Sequence, residues 1–201
     1  MKHYLYILTA AMVLLACSKK ANEIPAPPDT TLQITAKDAA GNLLPGAIIK
    51  LYASKNNFDL GLTETAMQIT GSNGSTVFTH LAGQTYWFRI DAGCKSNLSG
   101  LSSTSTSANV MYGISNSAIV KLESLGTLKM VNNSSAPYKV YVNGTLMIAS
   151  MSGGITSYIY YLLAGNYDIR VVQLSGFAIS PTDKTYSGVL VCGGTLQTVF
   201  P

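Results

Sequence analysis

The side chains able to do chemistry in this chain are few and poorly placed for catalysis. His80 is the only histidine after position 3, and nine carboxylates are scattered along 201 residues. One imidazole cannot build a His-rich zinc site, and Cys94 has no second cysteine or histidine at ligand spacing. A triad using His80 would call for a nucleophile on a sharp strand-to-helix elbow, and no such motif is present. A glycosidase-like pair of carboxylates needs a cleft that small sandwiches seldom provide. No glycine-rich phosphate loop precedes a helix. The residues therefore predict no catalytic set, no metal and no cofactor: a protein that is not an enzyme.

The aromatic residues offer more. In Tyr158-Ile159-Tyr160-Tyr161, strand alternation places Tyr158 and Tyr160 on one face and Ile159 and Tyr161 on the other. Trp87 lies opposite the face formed by Tyr86, Phe88 and Ile90. Trp87, Tyr158 and Tyr160 are candidate ligand-binding residues, because exposed rings stack on sugars or anchor a protein partner. The plainer reading is a sheet surface whose tyrosine hydroxyls reach water. Asp38 and Asn42 suggest calcium, but a turn hydrogen bond explains the pair more simply.

The N-terminus bears on location. Met1-Lys2-His3 supplies a positive start, and residues 4–16 form an uncharged apolar run. That run is too short to span a bilayer, which needs roughly 20 residues, and fits a cleaved export signal. Leu14-Leu15-Ala16-Cys17 resembles the lipobox of bacterial lipoproteins. The resemblance implies that residues 1–16 are a lipoprotein signal peptide and that Cys17 becomes the acylated first residue. The alternative is an ordinary secretory signal with Cys17 near the cut. Each acyl methylene buried in the membrane contributes about 0.8 kcal/mol, and more than one chain makes the anchor stable. Residues 17–29 form a polar, proline-rich tether. Lipoproteins of the Bacteroidetes type often mark surface export with an acidic cluster after the cysteine. Lys19-Lys20 departs from that pattern, which leaves both a periplasmic and a cell-surface position on the outer membrane open. Asp29-Thr30-Thr31 resembles a short O-glycan acceptor of such bacteria, with a plain linker as the alternative.

Removing the signal leaves about 185 residues, enough for one large domain or two small ones. Only 11% of the chain is charged, and Tyr, Thr, Ser, Val and Ile dominate over helix formers, which favours strands and turns. The basic residues form no stripe, so no nucleic-acid partner is expected. In an oxidising compartment, Cys94 and Cys192 are expected to pair as a disulfide. Two buried free thiols are the other arrangement.

Apolar alternation predicts strands over residues 32–37, 47–52, 76–78, 86–91, 119–123, 127–131, 157–163, 167–172, 188–192 and 196–200. Tyr138 to Val142 and Thr145 to Ile148 flank Asn143-Gly144, the clearest hairpin signal in the chain. Residues 95–117 read as a long loop or crossing, with a short strand at 109–112. Leu81-Ala82-Gly83, followed by Tyr86 and Arg89, echoes Leu163-Ala164-Gly165, followed by Tyr167 and Arg170. Two sandwiches of related build account for that echo.

The segment from Lys37-Asp38-Ala39-Ala40-Gly41-Asn42 through Pro45-Gly46-Ala47, Lys50-Leu51-Tyr52, Asn73-Gly74 and Ala82-Gly83-Gln84-Thr85-Tyr86 resembles carboxypeptidase regulatory-like domains. These are transthyretin-like sandwiches with Ig-like packing. Tyr138-Lys139-Val140-Tyr141-Val142-Asn143-Gly144 and Ala164-Gly165-Asn166-Tyr167 resemble a PEGA-type sandwich. Related pilus-type sandwiches carry a Lys–Asn isopeptide bond supported by a glutamate. Ala36 and Ile90 fall where that lysine and glutamate would lie, so no such bond is expected.

The resemblances imply an all-β Bacteroidetes-type lipoprotein with two tandem sandwiches, over residues 30–117 and 118–201. The expected role is a non-catalytic binding or assembly module, anchored in the outer membrane by lipid and facing an envelope protein or glycan. The alternatives are a carbohydrate-binding accessory lipoprotein and a pilin-like adhesin subunit. Against the pilin, no arginine precedes Arg89 to serve as an early maturation site.

Overall fold

The computed structural model describes residues 29–98, 106–176 and 182–201. The expected signal peptide, Cys17 and most of the tether lie outside the described residues. The chain is all-β: fourteen strands and one short helix, α1 (Lys55–Leu60), make up the described elements.

The first sandwich uses β1 (Thr31–Asp38), β2 (Ile48–Tyr52), β3 (Ala66–Ile69), β4 (Ser75–Phe78), β5 (Thr85–Ala92), β6 (Lys95–Ser96), β7 (Ser107–Asn109) and the first half of β8 (Ser115–Asn132). One layer is β4-β1-β8, with β1 antiparallel to β4 and parallel to β8. The facing layer is β3-β2-β5-β7, all antiparallel. The second sandwich uses the rest of β8 with β9 (Tyr138–Val142), β10 (Thr145–Met151), β11 (Thr156–Leu163), β12 (Gly165–Gln173), β13 (Asp183–Leu190) and β14 (Thr195–Phe200). Its layers are β11-β8-β14 and β10-β9-β12-β13. Here β8 is antiparallel to β11 and parallel to β14.

The two halves share one topology, and β8 is the last strand of the first and the first strand of the second. At about 3.3 Å per residue its 18 residues span roughly 60 Å. Two strands separated near Gly126 are expected from sequence; the structure runs straight through. The reason lies in parity. Val120 and Leu122 point into the first core, Leu128 and Met130 into the second, all at even positions, so no turn is needed to change partners. The expected division at 117/118 falls inside this strand, and core membership changes between Leu122 and Leu128.

The sequence echo marks β5 and β12, which occupy the same place in the two halves. Tyr86 and Tyr167 are both buried at the start of these strands. The Tyr86 hydroxyl accepts from the Ala82 N–H at 3.1 Å, and the Tyr167 hydroxyl donates to the Leu163 carbonyl at 2.7 Å. Each tyrosine pins the turn that feeds its strand. The first core centres on Ile34, Ile49, Phe78 and Phe88, the second on Tyr138, Val140, Ile169 and Phe200. Tyr138 and Phe200 meet edge to face at 5.2 Å. Asn143-Gly144 forms the expected two-residue hairpin, with φ of 47° and 80°.

Several local readings change. The short strand expected at 109–112 is β7 at 107–109, and residues 112–113 turn. β13 ends at Leu190, so Cys192 sits in a turn and not in a strand. β3 and α1 carry too little alternation to be read from sequence. Thr30 is no open acceptor: it is 3% exposed, and its hydroxyl accepts from the Gly113 N–H at 2.8 Å. Ala36 and Ile90 are fully buried in the first core.

Candidate functional site

The two sandwiches meet at the middle of β8, where a cleft of about 430 Å³ opens. Its floor is Leu125, Gly126 and Thr127 of β8. Gly126 is required there because a Cβ would stand 2.6 Å from Leu190 Cδ1 and 3.0 Å from the Gly194 carbonyl oxygen. One wall is Arg89 and Asp91 of β5 with the turn into β6, and the other is Tyr160 and Tyr161 of β11.

Cys94 and Cys192 form a disulfide, with Cα atoms 5.5 Å apart and a sequence separation of 98. Cys94 lies in the turn after β5, and Cys192 in the turn before β14, so the bond joins the two sandwiches. It closes around Leu125. The Leu125 N–H donates to the Cys94 carbonyl at 2.9 Å, and the Gly193 N–H donates to the Leu125 carbonyl at 2.7 Å. The junction is thus fixed by a continuous strand, a covalent bond and the hydrogen bonds between them.

Charges in the cleft are matched. Arg89 Nε donates to Asp91 Oδ2 at 2.6 Å. This bond makes the guanidinium hold its proton more tightly than usual, against the opposing effect of partial burial. Lys95 Nζ stands 3.5 Å from Asp38 Oδ2. Asp38 also accepts from the Asn42 backbone N–H at 2.9 Å and its side-chain amide at 3.2 Å. The turn hydrogen bond expected for this pair is therefore present. Among the described residues, no three His, Cys, Asp or Glu side chains are grouped to hold a metal ion.

β11 brings the tyrosines together in an arrangement its sequence only half reveals. Tyr158 and Tyr160 share the outer face as expected and stack at 5.8 Å with ring planes 13° apart. Tyr161 does not join Ile159 on the inner face. The ladder to β8 slips between Ile159 and Leu162, and Tyr161 adopts a left-handed φ of 59°. Such a conformation costs a non-glycine residue about 1–2 kcal/mol. The bulge resets the alternation, sends Leu162 into the core and leaves Tyr161 exposed beside Tyr160. The Arg89 guanidinium carbon lies 5.9 Å from the centre of the Tyr161 ring.

The structure thus separates the sequence candidates. Tyr160 lines the cleft, and Tyr158 extends the row of rings beyond it. Trp87 does not line the cleft. It is partly buried on the outer face of β5, opposite Tyr52 of β2, and Tyr52 is itself covered by Phe58 of α1 at 5.8 Å. Sequence reasoning missed Tyr161, Arg89 and Asp91 as site residues. The signal available was the Tyr160-Tyr161 doublet, two large rings in succession where a regular strand would bury one. His80 is on an exposed turn with φ of 56°. Its N–H donates to Asp29 Oδ1 at 3.0 Å, and its Nδ1 is 3.1 Å from the Thr79 hydroxyl. These contacts close the turn, with the Asp29 carboxylate 3.9 Å from Nε2.

No protein-family model matches the sequence, and no curated protein matches it. Among solved structures, the chain is similar to the TIE protein of Bacillus anthracis, at 16% identity over 86% of this chain and 34% of that one, with a TM-score of 0.36. It is similar to the minor pilin GBS52 of Streptococcus agalactiae, at 12% identity over 85% and 94%, with a TM-score of 0.34. It is also similar to a leucine-rich repeat protein of Bacteroides thetaiotaomicron, at 13% identity over 86% and 26%, with a TM-score of 0.35. The chain spans about a third of the length of the Bacillus anthracis protein.

Proposed function

We propose that this protein is a lipid-anchored, non-catalytic binding module of the bacterial outer membrane, built as a stiff two-sandwich rod on an N-terminal tether. In this reading the first sandwich is carboxypeptidase regulatory-like and the second PEGA-like. The observation that carries the reading is the junction. A shared strand and the Cys94–Cys192 bond fix two cores end to end, and such stiffness suits presenting a surface at a set distance. The chain emerges from its tether at Thr31, beside Ser115 of β8. From Ser115 to Gly126 is about 36 Å along the strand, so the cleft stands well clear of the tether's point of attachment.

Metabolic labelling with an alkyne fatty acid tests the anchor. The wild-type protein takes up label and sediments with membranes, whereas Cys17→Ser loses both properties. Label that persists in Cys17→Ser, or that is missing from the wild type, overturns the anchor. Cross-linking on intact cells tests the binding role, with an envelope protein or glycan as the expected adduct. A chain that cross-links to nothing overturns that role.

A second reading, a pilin-like adhesin subunit, is favoured by the same stiff head-to-tail build. It predicts covalent or detergent-resistant polymers of this chain on the cell surface, whereas the first reading predicts none.

A further inference from the structure

We propose that the cleft at the junction binds carbohydrate, seating neutral sugar rings on Tyr160 and Tyr161 and holding their hydroxyls with Arg89 and Asp91. The inference rests on the proposed binding role and is independent of the lipid anchor.

The first argument is strain. Bulky residues seldom adopt a positive φ, and where they do the conformation is held by its surroundings, often at a binding or catalytic site. A regular β11 would have buried Tyr161. The bulge instead turns this ring toward Arg89, which belongs to the other sandwich. The cost is incurred at the one stretch of β11 that borders the cleft.

The second argument is charge. Arg89 and Lys95 bring two positive charges to the cleft, but each has a carboxylate partner, at 2.6 and 3.5 Å. Binding an anion would mean competing with those carboxylates. The same Arg89–Asp91 pair is well suited to an uncharged polyol. The guanidinium has further N–H donors and the carboxylate further acceptor sites beyond the single bond they share, so adjacent hydroxyls can donate to one and accept from the other.

The third argument is surface chemistry. An apolar ligand would strip water from the remaining Arg89 N–H donors and Asp91 acceptor sites and replace it with nothing. A sugar ring has an apolar face for a tyrosine and a polar edge for the pair. The volume lies within the roughly 300–1,000 Å³ typical of small-molecule clefts. The Tyr158 ring stacks on Tyr160 at 5.8 Å and braces it at the edge of the cleft.

The test is calorimetric titration of the full detergent-solubilised protein with four neutral hexasaccharides: β-1,4-glucan, β-1,4-xylan, β-1,4-mannan and β-1,4-linked N-acetylglucosamine. Hexagalacturonate serves as the anionic comparator. At least one neutral hexasaccharide is expected to bind. Tyr160→Ala and Tyr161→Gly should each weaken it tenfold or more, and Asp91→Asn at least fivefold, while Trp87→Phe stays within twofold. Tyr161→Gly is informative because glycine accepts the positive φ, so lost affinity with an intact disulfide and an unchanged melting temperature is not a folding failure. Silence from all four neutral probes, binding of hexagalacturonate alone, or affinity indifferent to both tyrosine variants overturns the proposal. If the probes are silent while cell-surface cross-linking still captures a partner, the binding role stands and only the ligand class falls.

Discussion

Removing the Cys94–Cys192 bond should cost this protein more than any single side chain at its surface. The bond closes a loop of 98 residues, and the chain-entropy treatment assigns about 4.7 kcal/mol to a loop of that size. Unfolding of the roughly 170 residues of the two sandwiches carries an entropy of about 2.1 cal/mol/K per residue, or about 0.36 kcal/mol/K in all. The quotient is a fall in melting temperature of about 13 °C. The double variant Cys94→Ala/Cys192→Ala is the cleaner perturbation, because a reductant leaves thiols that can re-oxidise. Differential scanning calorimetry gives both the shift and the number of transitions. Because β8 lies in both cores, the oxidised protein should melt in a single transition, and the variant should as well. A loss below about 4 °C would refute the loop-entropy reasoning. Two resolved transitions in the oxidised protein would refute the coupling through β8.

Other consequences follow at single positions. Gly126→Ala places a methyl group 2.6 Å from Leu190 Cδ1 and should destabilise by about 1–3 kcal/mol in urea unfolding. Asn132 is fully buried, with its amide donating to the Ala136, Met151 and Ser152 carbonyls and its oxygen accepting from Ser134. Asn132→Asp turns a donor toward three acceptors into a buried charge and should cost about 3 kcal/mol or more, read in the same assay. The Asp38 carboxyl is held below the usual carboxylate range, first by the Asn42 side chain, then by the Asn42 backbone and Lys95, with burial opposing. A carboxyl with a lowered folded-state value stabilises above its unfolded value and loses that contribution as pH falls through the folded one. The wild type should therefore lose stability on acidification below the ordinary carboxylate range, and Asp38→Asn should lose less, as pH-dependent urea midpoints will show.

Much of the fold was legible because alternation is local. β1, β5 and the Asn143-Gly144 hairpin follow directly from period-two burial and turn chemistry. The Leu-Ala-Gly echo identified β5 and β12 as counterparts because both copies need the same tyrosine to hold the same turn. What was not legible depended on partners distant in sequence. Gly126 looks like a break between two strands when read alone. It is uninterrupted strand because the even positions on either side of it already face the two cores, and it is glycine because a Cβ there would meet Leu190 and Gly194. Parity counting assumes no bulge and so puts Tyr161 on the face opposite to the one it occupies. Alternation along β5 puts Arg89 and Asp91 on the Trp87 face, but nothing local says that β11 comes to meet them while Tyr52 lies opposite Trp87.

The junction also links stability to recognition. Arg89 belongs to the first sandwich and Tyr161 to the second, so their 5.9 Å approach exists only while the two bodies keep one relative orientation. A flexible linker would make that approach one of many, and a ligand would have to bear the entropy of selecting it. Here the strand passes through the cleft floor, and the disulfide forms part of the wall beside it. β8 resists shearing of the two sheets, and the bond resists their opening about Leu125. The Cys94→Ala/Cys192→Ala variant should then bind a neutral hexasaccharide several-fold more weakly even well below its melting temperature, where both cores are folded. An unchanged affinity there would assign the fixed geometry to β8 alone and leave the disulfide a role in stability only.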